Sequence, residues 1–225
     1  MADIEFFFDP MCPWAWITSR LTVEVSELRE LDVEWRFISL SILNEEKFAE
    51  DEAAVAEGKE PSLPPQYKEM SRIGLGLMRV AAVVREQFGN EGVARYYTAC
   101  GELLHKGGAS AKIWTGEDPG DVLGKALAAA ELPAELSAEA DNEKWDKILR
   151  EETALALSRT GDDVGTPIIT FDTSRPEEAS LFGPVINRIP RGQEALDLWD
   201  AVTFIARTPG IAEFKRSIRG APVFD

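Results

Sequence analysis

Cysteine and histidine are scarce in this chain of 225 residues: Cys12, Cys100 and the single His105 are all there are. A structural metal cluster needs several such ligands at fixed spacing, so no metal site is expected. Two cysteines so far apart in sequence make no disulfide framework. Basic residues are also short, 24 against 40 acidic ones, for a net charge of −16. Phosphate backbones and anionic membranes repel such a surface, so neither a nucleic acid nor a membrane is an expected partner. No apolar run approaches the ~20 residues that span a bilayer. The N-terminus lacks the basic region and long apolar core of a secretory signal, and a cytoplasmic location is the expectation. Hydrophobic content of 44% suits an ordinary globular domain, and the excess negative charge reads as solubility.

Against this background one short motif stands out. Cys12-Pro13-Trp14-Ala15 follows the apolar run Ile4-Glu5-Phe6-Phe7-Phe8 across the break Asp9-Pro10. From Pro13 onward Trp14, Ile17, Leu21, Val25 and Leu28 recur at helical spacing. Proline suits a first helical position, since its φ is already fixed and its absent N–H is not needed there. A strand therefore delivers the Cys12 sulfur to a helix N-terminus, where unpaired N–H groups and the helix dipole favour negative charge. The thiolate is the nucleophile of thiol chemistry, so Cys12 is the candidate catalytic residue. The spacing is that of a redox Cys-x-x-Cys with Ala15 in place of the second sulfur. Trp14 is expected at the rim of a pocket, because Cys12 must be reached in order to react.

Val33 to Leu40 alternates as a strand, completing a βαβ unit whose strands are expected to be parallel. Residues 45–64 are acidic and alanine-rich, closed by Pro61 to Pro65, and read as a mobile loop or a short frayed helix. Helical patterns follow over Pro65–Phe88, Glu91–His105, Asp118–Leu132 and from Asp141. Cys100 falls in the second of these and reads as a buried, inert thiol. Strand signals return at Pro167–Phe171 and Ala179–Phe182, and a helix closes the pattern over Gly192–Arg207. The order βαβ, helices, ββα is that of an α/β, thioredoxin-like fold with an all-helical insertion between its halves. The expected division is 1–43 with 160–225 for the thioredoxin-like domain, and 44–159 for the insertion with its acidic loop 45–64. In that fold Pro167 begins the third strand, where a cis-proline is expected. Backbone groups of Thr166 would then pair with an extended thiol ligand. Asn44, at the end of the second strand segment, and Tyr67, opening the first inserted helix, are candidates to overhang Cys12. Arg20 reads equally as a surface ion pair or a ligand contact.

The segment Phe8-Asp9-Pro10-Met11-Cys12-Pro13-Trp14-Ala15-Trp16-Ile17-Thr18-Ser19-Arg20 resembles the active-site segment of the actinobacterial mycothiol-dependent nitroreductases, a cytosolic branch of the DsbA-like thioredoxin superfamily. The likeness continues through Ser39–Glu45, Pro65–Tyr67, Asp163–Pro167, Phe182–Val185, Ile189–Gly192 and Phe224–Asp225. It implies mycothiol, or another low-molecular-weight thiol, as electron donor and cosubstrate, with no flavin and no metal. It implies Cys12 as the redox thiol, with Trp14, Asn44 and Tyr67 lining the substrate pocket and Pro167 as the cis-proline. The expected partners are a small thiol and a small electrophile or disulfide, with a homodimer left open. Two departures matter. Many members carry a second cysteine where Ala15 stands; without it Cys12 has no internal partner, whether by nature or by a change at that position. The stretch between Asn44 and Tyr67 is also longer, as for a larger lid. Two rival readings remain at this stage. Kappa-class glutathione transferases and hydroxychromene-carboxylate isomerases share the insertion topology, but they use serine where Cys12 stands. A non-catalytic binding protein would have lost its redox function with the second thiol.

Overall fold

The structure, a computed structural model, describes residues 2–218 and 220–225. Along the chain run β1 (Ile4–Phe8), α1 (Pro13–Leu28), β2 (Val33–Phe37), α2 (Leu40–Leu43), α3 (Glu45–Ala56), α4 (Pro65–Gly101), α5 (Ala109–Thr115), α6 (Val122–Ala129), α7 (Asp146–Thr160), β3 (Ile168–Thr170), β4 (Ser180–Phe182) and α8 (Gly192–Ala206). The chain divides into two compact units. One holds residues 1–8, 12–36 and 154–225; the other holds 9–11 and 37–153.

The first unit is the thioredoxin-like one. Its strands lie in the order β2-β1-β3-β4. β1 pairs antiparallel with β3, Phe6 opposite Ile169 and Phe7 opposite Ile168. β3 pairs antiparallel with β4, Ile169 opposite Leu181. Phe6, Phe7 and Phe8 are all fully buried, so β1 is covered on both faces, as a continuous apolar run implies. Each such side chain contributes roughly 1.5–3 kcal/mol on burial. Trp35 packs against Phe6 and Phe8, and Phe171 against Trp199 of α8. α8 lies along α1, whose Trp16, Ile17, Leu21 and Val25 are buried. Across the two central strands Arg159 bonds both Glu5 of β1 and Thr170 of β3, and Thr170 shares a hydrogen bond with Ser180 of β4.

The second unit is helical. α4 is two helices that meet at Gly89, whose φ of 66° glycine adopts without penalty. They match the two helices expected over 65–88 and 91–105: the Tyr96 hydroxyl donates to the Leu77 carbonyl at 3.2 Å, so the second folds back along the first, and it runs to Gly101 before a wider π-helical turn over Glu102–Lys106. Glu152 accepts the Phe37 N–H and the Arg85 guanidinium, which lies over the Phe37 ring. Arg79 grips Asp146 with two bonds.

Three local readings are corrected. The acidic stretch after Asn44, expected as a mobile loop or a short frayed helix, is a regular helix over Glu45–Ala56. Alanine and glutamate are good helix formers, and Glu45 and Glu46 sit in the first turn where the dipole favours them. Asp51 then accepts the Ser62 and Leu63 amides, tying the proline-rich segment back to the helix. Secondly, β2 stops at Phe37 instead of reaching Leu40, because the Ser39 hydroxyl caps α2 by accepting from Ile42. Asn44 therefore closes a short helix, not a strand. Finally, α6 and α7 start later than expected, α7 after two 3-10 segments, and α5 was not foreseen.

Candidate functional site

Cys12 is the N-cap of α1. Its φ and ψ of −80° and 113° are extended, Pro13 occupies the first helical position, and Sγ accepts the Ala15 N–H at 3.4 Å. A helix-end amide is thus aimed at the sulfur, where it stabilises negative charge. Opposite it, the thiol donates to the Thr166 carbonyl, also at 3.4 Å. The two contacts favour different states. The amide supports the thiolate, whereas the carbonyl is a partner for the thiol alone.

Thr166 is itself fixed. Its hydroxyl donates to the Phe7 carbonyl of β1. The Thr166–Pro167 peptide is cis, and the Pro167 carbonyl accepts the Gly183 N–H at 2.8 Å. The Gly183–Pro184 peptide is also cis, and the Pro184 carbonyl accepts the buried Thr18 hydroxyl of α1 at 2.7 Å. The turn before β3, the turn after β4 and the first turns of α1 are therefore tied together around Cys12. Cys12 is a buried residue, 6% exposed. Ala15 and Trp16 are fully buried, while Pro13 and Trp14 are half-buried. The Arg20 guanidinium lies 4.1 Å from the Trp16 ring, and its Nε donates to Ser19.

So Cys12, Pro13, Trp14, Ala15, Thr166 and Pro167 fall together in the first unit. Asn44 and Tyr67 belong to the helical unit. The Asn44 amide donates to the Leu40 carbonyl, and Tyr67 packs against Phe48. Cys100 is a fully buried thiol beside Tyr96, and burial pushes its pKa up to about 12. Among the described residues, no group of three or more His, Cys, Asp or Glu side chains is placed to hold a metal ion. No helix among them is long and apolar enough to cross a membrane.

Two residues near the motif escaped the sequence reading. Asp9 was taken only as a strand terminator, yet it is 1% exposed. His105 was weighed only as a metal ligand, yet it is buried against the Pro10 carbonyl. The one available signal was a charged residue wedged between three phenylalanines and the nucleophile.

A cysteine capping the helix after the first strand faces the residue before a proline that leads the third strand, on a thioredoxin-like fold, and the family match below makes the chain a thiol-dependent oxidoreductase. Among solved structures, the probable DsbA oxidoreductase SCO1869 from Streptomyces coelicolor has a similar fold. Its TM-score is 0.53 at 16% identity, over 93% of this chain and 92% of that one. The chain belongs to the Rv2466c-like family, described as mycothiol-dependent nitroreductase Rv2466c, whose profile matches residues 11–216. A curated relative, the uncharacterized protein Rv2286c of Mycobacterium tuberculosis (strain ATCC 25618 / H37Rv), is 29% identical over 216 residues, 96% of this chain and 82% of that protein. With the class established as an oxidoreductase, the non-catalytic reading falls away.

Proposed function

We propose that the protein carries out thiol–disulfide exchange through Cys12 alone, with mycothiol or a similar small thiol as the electron donor. The observation that carries this reading is the Cys12 sulfur on the Ala15 amide, with alanine where a resolving cysteine would stand. The Cys12 thiolate attacks one sulfur of a substrate mixed disulfide. A Cys12–thiol disulfide forms, the original S–S bond breaks, and the substrate sulfur leaves as a thiolate that takes a proton from solvent. A second small thiolate then attacks the bound small thiol's sulfur. That step releases a symmetrical disulfide and returns Cys12 as thiolate. The cycle consumes one free small thiol and trades the substrate's mixed disulfide for the symmetrical one: the incoming thiol's sulfur is oxidised to the disulfide level as the substrate's sulfur is reduced to thiol, and the number of S–S bonds is unchanged. Exchange of this kind depends on thiolate fraction and access, which the helix end and the burial of Cys12 govern.

In the same reading Trp14 rims the substrate pocket, Asn44 and Tyr67 line it, and Thr166 presents its backbone to the incoming thiol. The family relationship supports mycothiol as cosubstrate, and the location is cytoplasmic. Intact-mass spectrometry tests the reading. Incubation with oxidised mycothiol or glutathione should add one thiol to the wild-type chain and none to Cys12→Ser, and excess reduced thiol should remove the adduct. No adduct on the wild-type chain would overturn the proposal.

A further inference from the structure

Residues 9–11 belong to the helical unit, and Cys12 is the next residue in the chain. Each of the three is gripped by a different element. The Asp9 carboxylate accepts the Met11 N–H through Oδ1 and the Leu40 N–H, at the start of α2, through Oδ2, both at 2.8 Å. The Pro10 carbonyl lies 3.0 Å from His105 Nε2 in the turn after α4. A carbonyl only accepts, so the ring carries a proton on Nε2 and donates it. Met11 lies against Gly74 of α4, where an added Cβ would stand 2.8 Å from the Met11 Cγ.

A buried carboxylate is a costly means of fastening a turn. Burial pushes the Asp9 pKa up to about 6, against the downward pull of the Leu40 and Met11 amides. Burial likewise lowers His105 to about 4, so the ring is neutral at physiological pH. Those two amides are the only groups among the described residues that pull Asp9 back down. α2 presents the Leu40 amide, α4 presents Gly74, and the turn after α4 presents the neutral His105.

We propose that Asp9 and His105 are positioning residues for the Cys12 reaction, holding the tripeptide that leads into the nucleophile. The inference rests on the exchange reading of Cys12. Sulfur must attack along the axis of the disulfide it breaks, so small rotations of the preceding peptides matter. With Asp9 ionised, both oxygens accept. Once it is protonated, one oxygen becomes a hydroxyl facing an N–H, and one of the two bonds is lost. Asp9→Asn imposes that arrangement at every pH.

The test is the rate at which glutathione disulfide forms a mixed disulfide with Cys12, followed by intact mass from pH 5 to pH 8. At pH 7.5 the Asp9→Asn chain should react about tenfold more slowly than wild type, the scale expected of a misplaced reacting group. The ratio should close toward one at pH 5, with its midpoint near 6. A rate equal to or above wild type at pH 7.5, or a ratio that does not change with pH, overturns the inference. His105→Gln and His105→Leu form a second arm, which decides the matter should Asp9→Asn not fold. Glutamine keeps an N–H donor and should keep the rate, whereas leucine should lose it. Equal rates in that pair overturn the inference as well. Absence of any adduct on wild type sinks the exchange reading and this inference together; a normal wild-type adduct with unchanged variants sinks this inference alone.

Discussion

Asp9 should make the protein less stable as pH rises through the mildly acidic range, the reverse of the usual behaviour of a carboxylate. Its pKa in the folded chain is about 6, against an ordinary 3.8, because burial disfavours the charge more than two amide bonds restore it. The folded state therefore binds the Asp9 proton more tightly than the unfolded chain does. Stability from this group is fully present below the unfolded value near 4 and is lost as pH rises to about 6. A rise from 3.8 to about 6 corresponds to about 3 kcal/mol. Asp9→Asn removes the titration and keeps the bonding of the protonated acid at every pH. It should therefore lead wild type by about 1 kcal/mol at pH 4.5, widening to about 3 kcal/mol by pH 7. Urea titrations of both chains across this range, followed by tryptophan fluorescence, measure the difference. A difference constant between pH 4.5 and pH 7 would refute the reasoning, since it would mean that Asp9 ionises in the folded chain as readily as in the unfolded one.

Two further outcomes concern the sulfurs. At pH 8 an alkylating agent should modify one thiol of the native protein and two of the denatured one, because Cys100 is fully buried with its pKa near 12; rapid native labelling of Cys100, located by peptide mapping, would contradict this. Ala15→Cys should turn the stable glutathione adduct of Cys12 into a transient one, as the new sulfur displaces glutathione and closes an internal disulfide; an adduct that persists in intact mass would show that the alanine position does not face Cys12.

What could be read from sequence was what local chemistry dictates. Cys12 and Pro13 carry the marks of a helix start within four residues, and Phe6, Phe7 and Phe8 announce a strand covered on both faces. α1 and α8 were legible because one face of each is apolar. α3 was not, because none of its residues is buried and no apolar period marks it; it is held by exposed ion pairs, the Asp51 cap and the contact of Phe48 with Tyr67. The break in α4 was legible: it falls at Gly89, one residue before the Asn90-Glu91-Gly92 punctuation, and the second helix folds back so that Tyr96 reaches the Leu77 carbonyl. Asp9 and His105 were opaque for a different reason. A carboxylate before a proline has the look of an exposed turn. Only tertiary structure reveals that Leu40, some thirty residues on, supplies the second amide.

The alanine at position 15 changes what the site must admit. A two-thiol site discharges its mixed disulfide internally, so it receives one partner at a time and hands it back. With one thiol, the second sulfur must arrive from solution while the first is still attached. Cys12 is closed on one side by the Thr166 carbonyl and on another by the Ala15 amide, and it is only 6% exposed. In the proposed exchange the incoming sulfur attacks the bound thiol's sulfur in line, from the side away from Cys12, so it must reach a sulfur seated on a buried residue. A compact thiol on a flexible arm meets that demand, whereas a cysteine on a folded protein surface brings its own bulk to the same approach. If Cys12 works as proposed, this favours small-molecule thiols over protein thiols as the resolving partner. The preference follows from the missing sulfur and does not depend on which substrate is reduced.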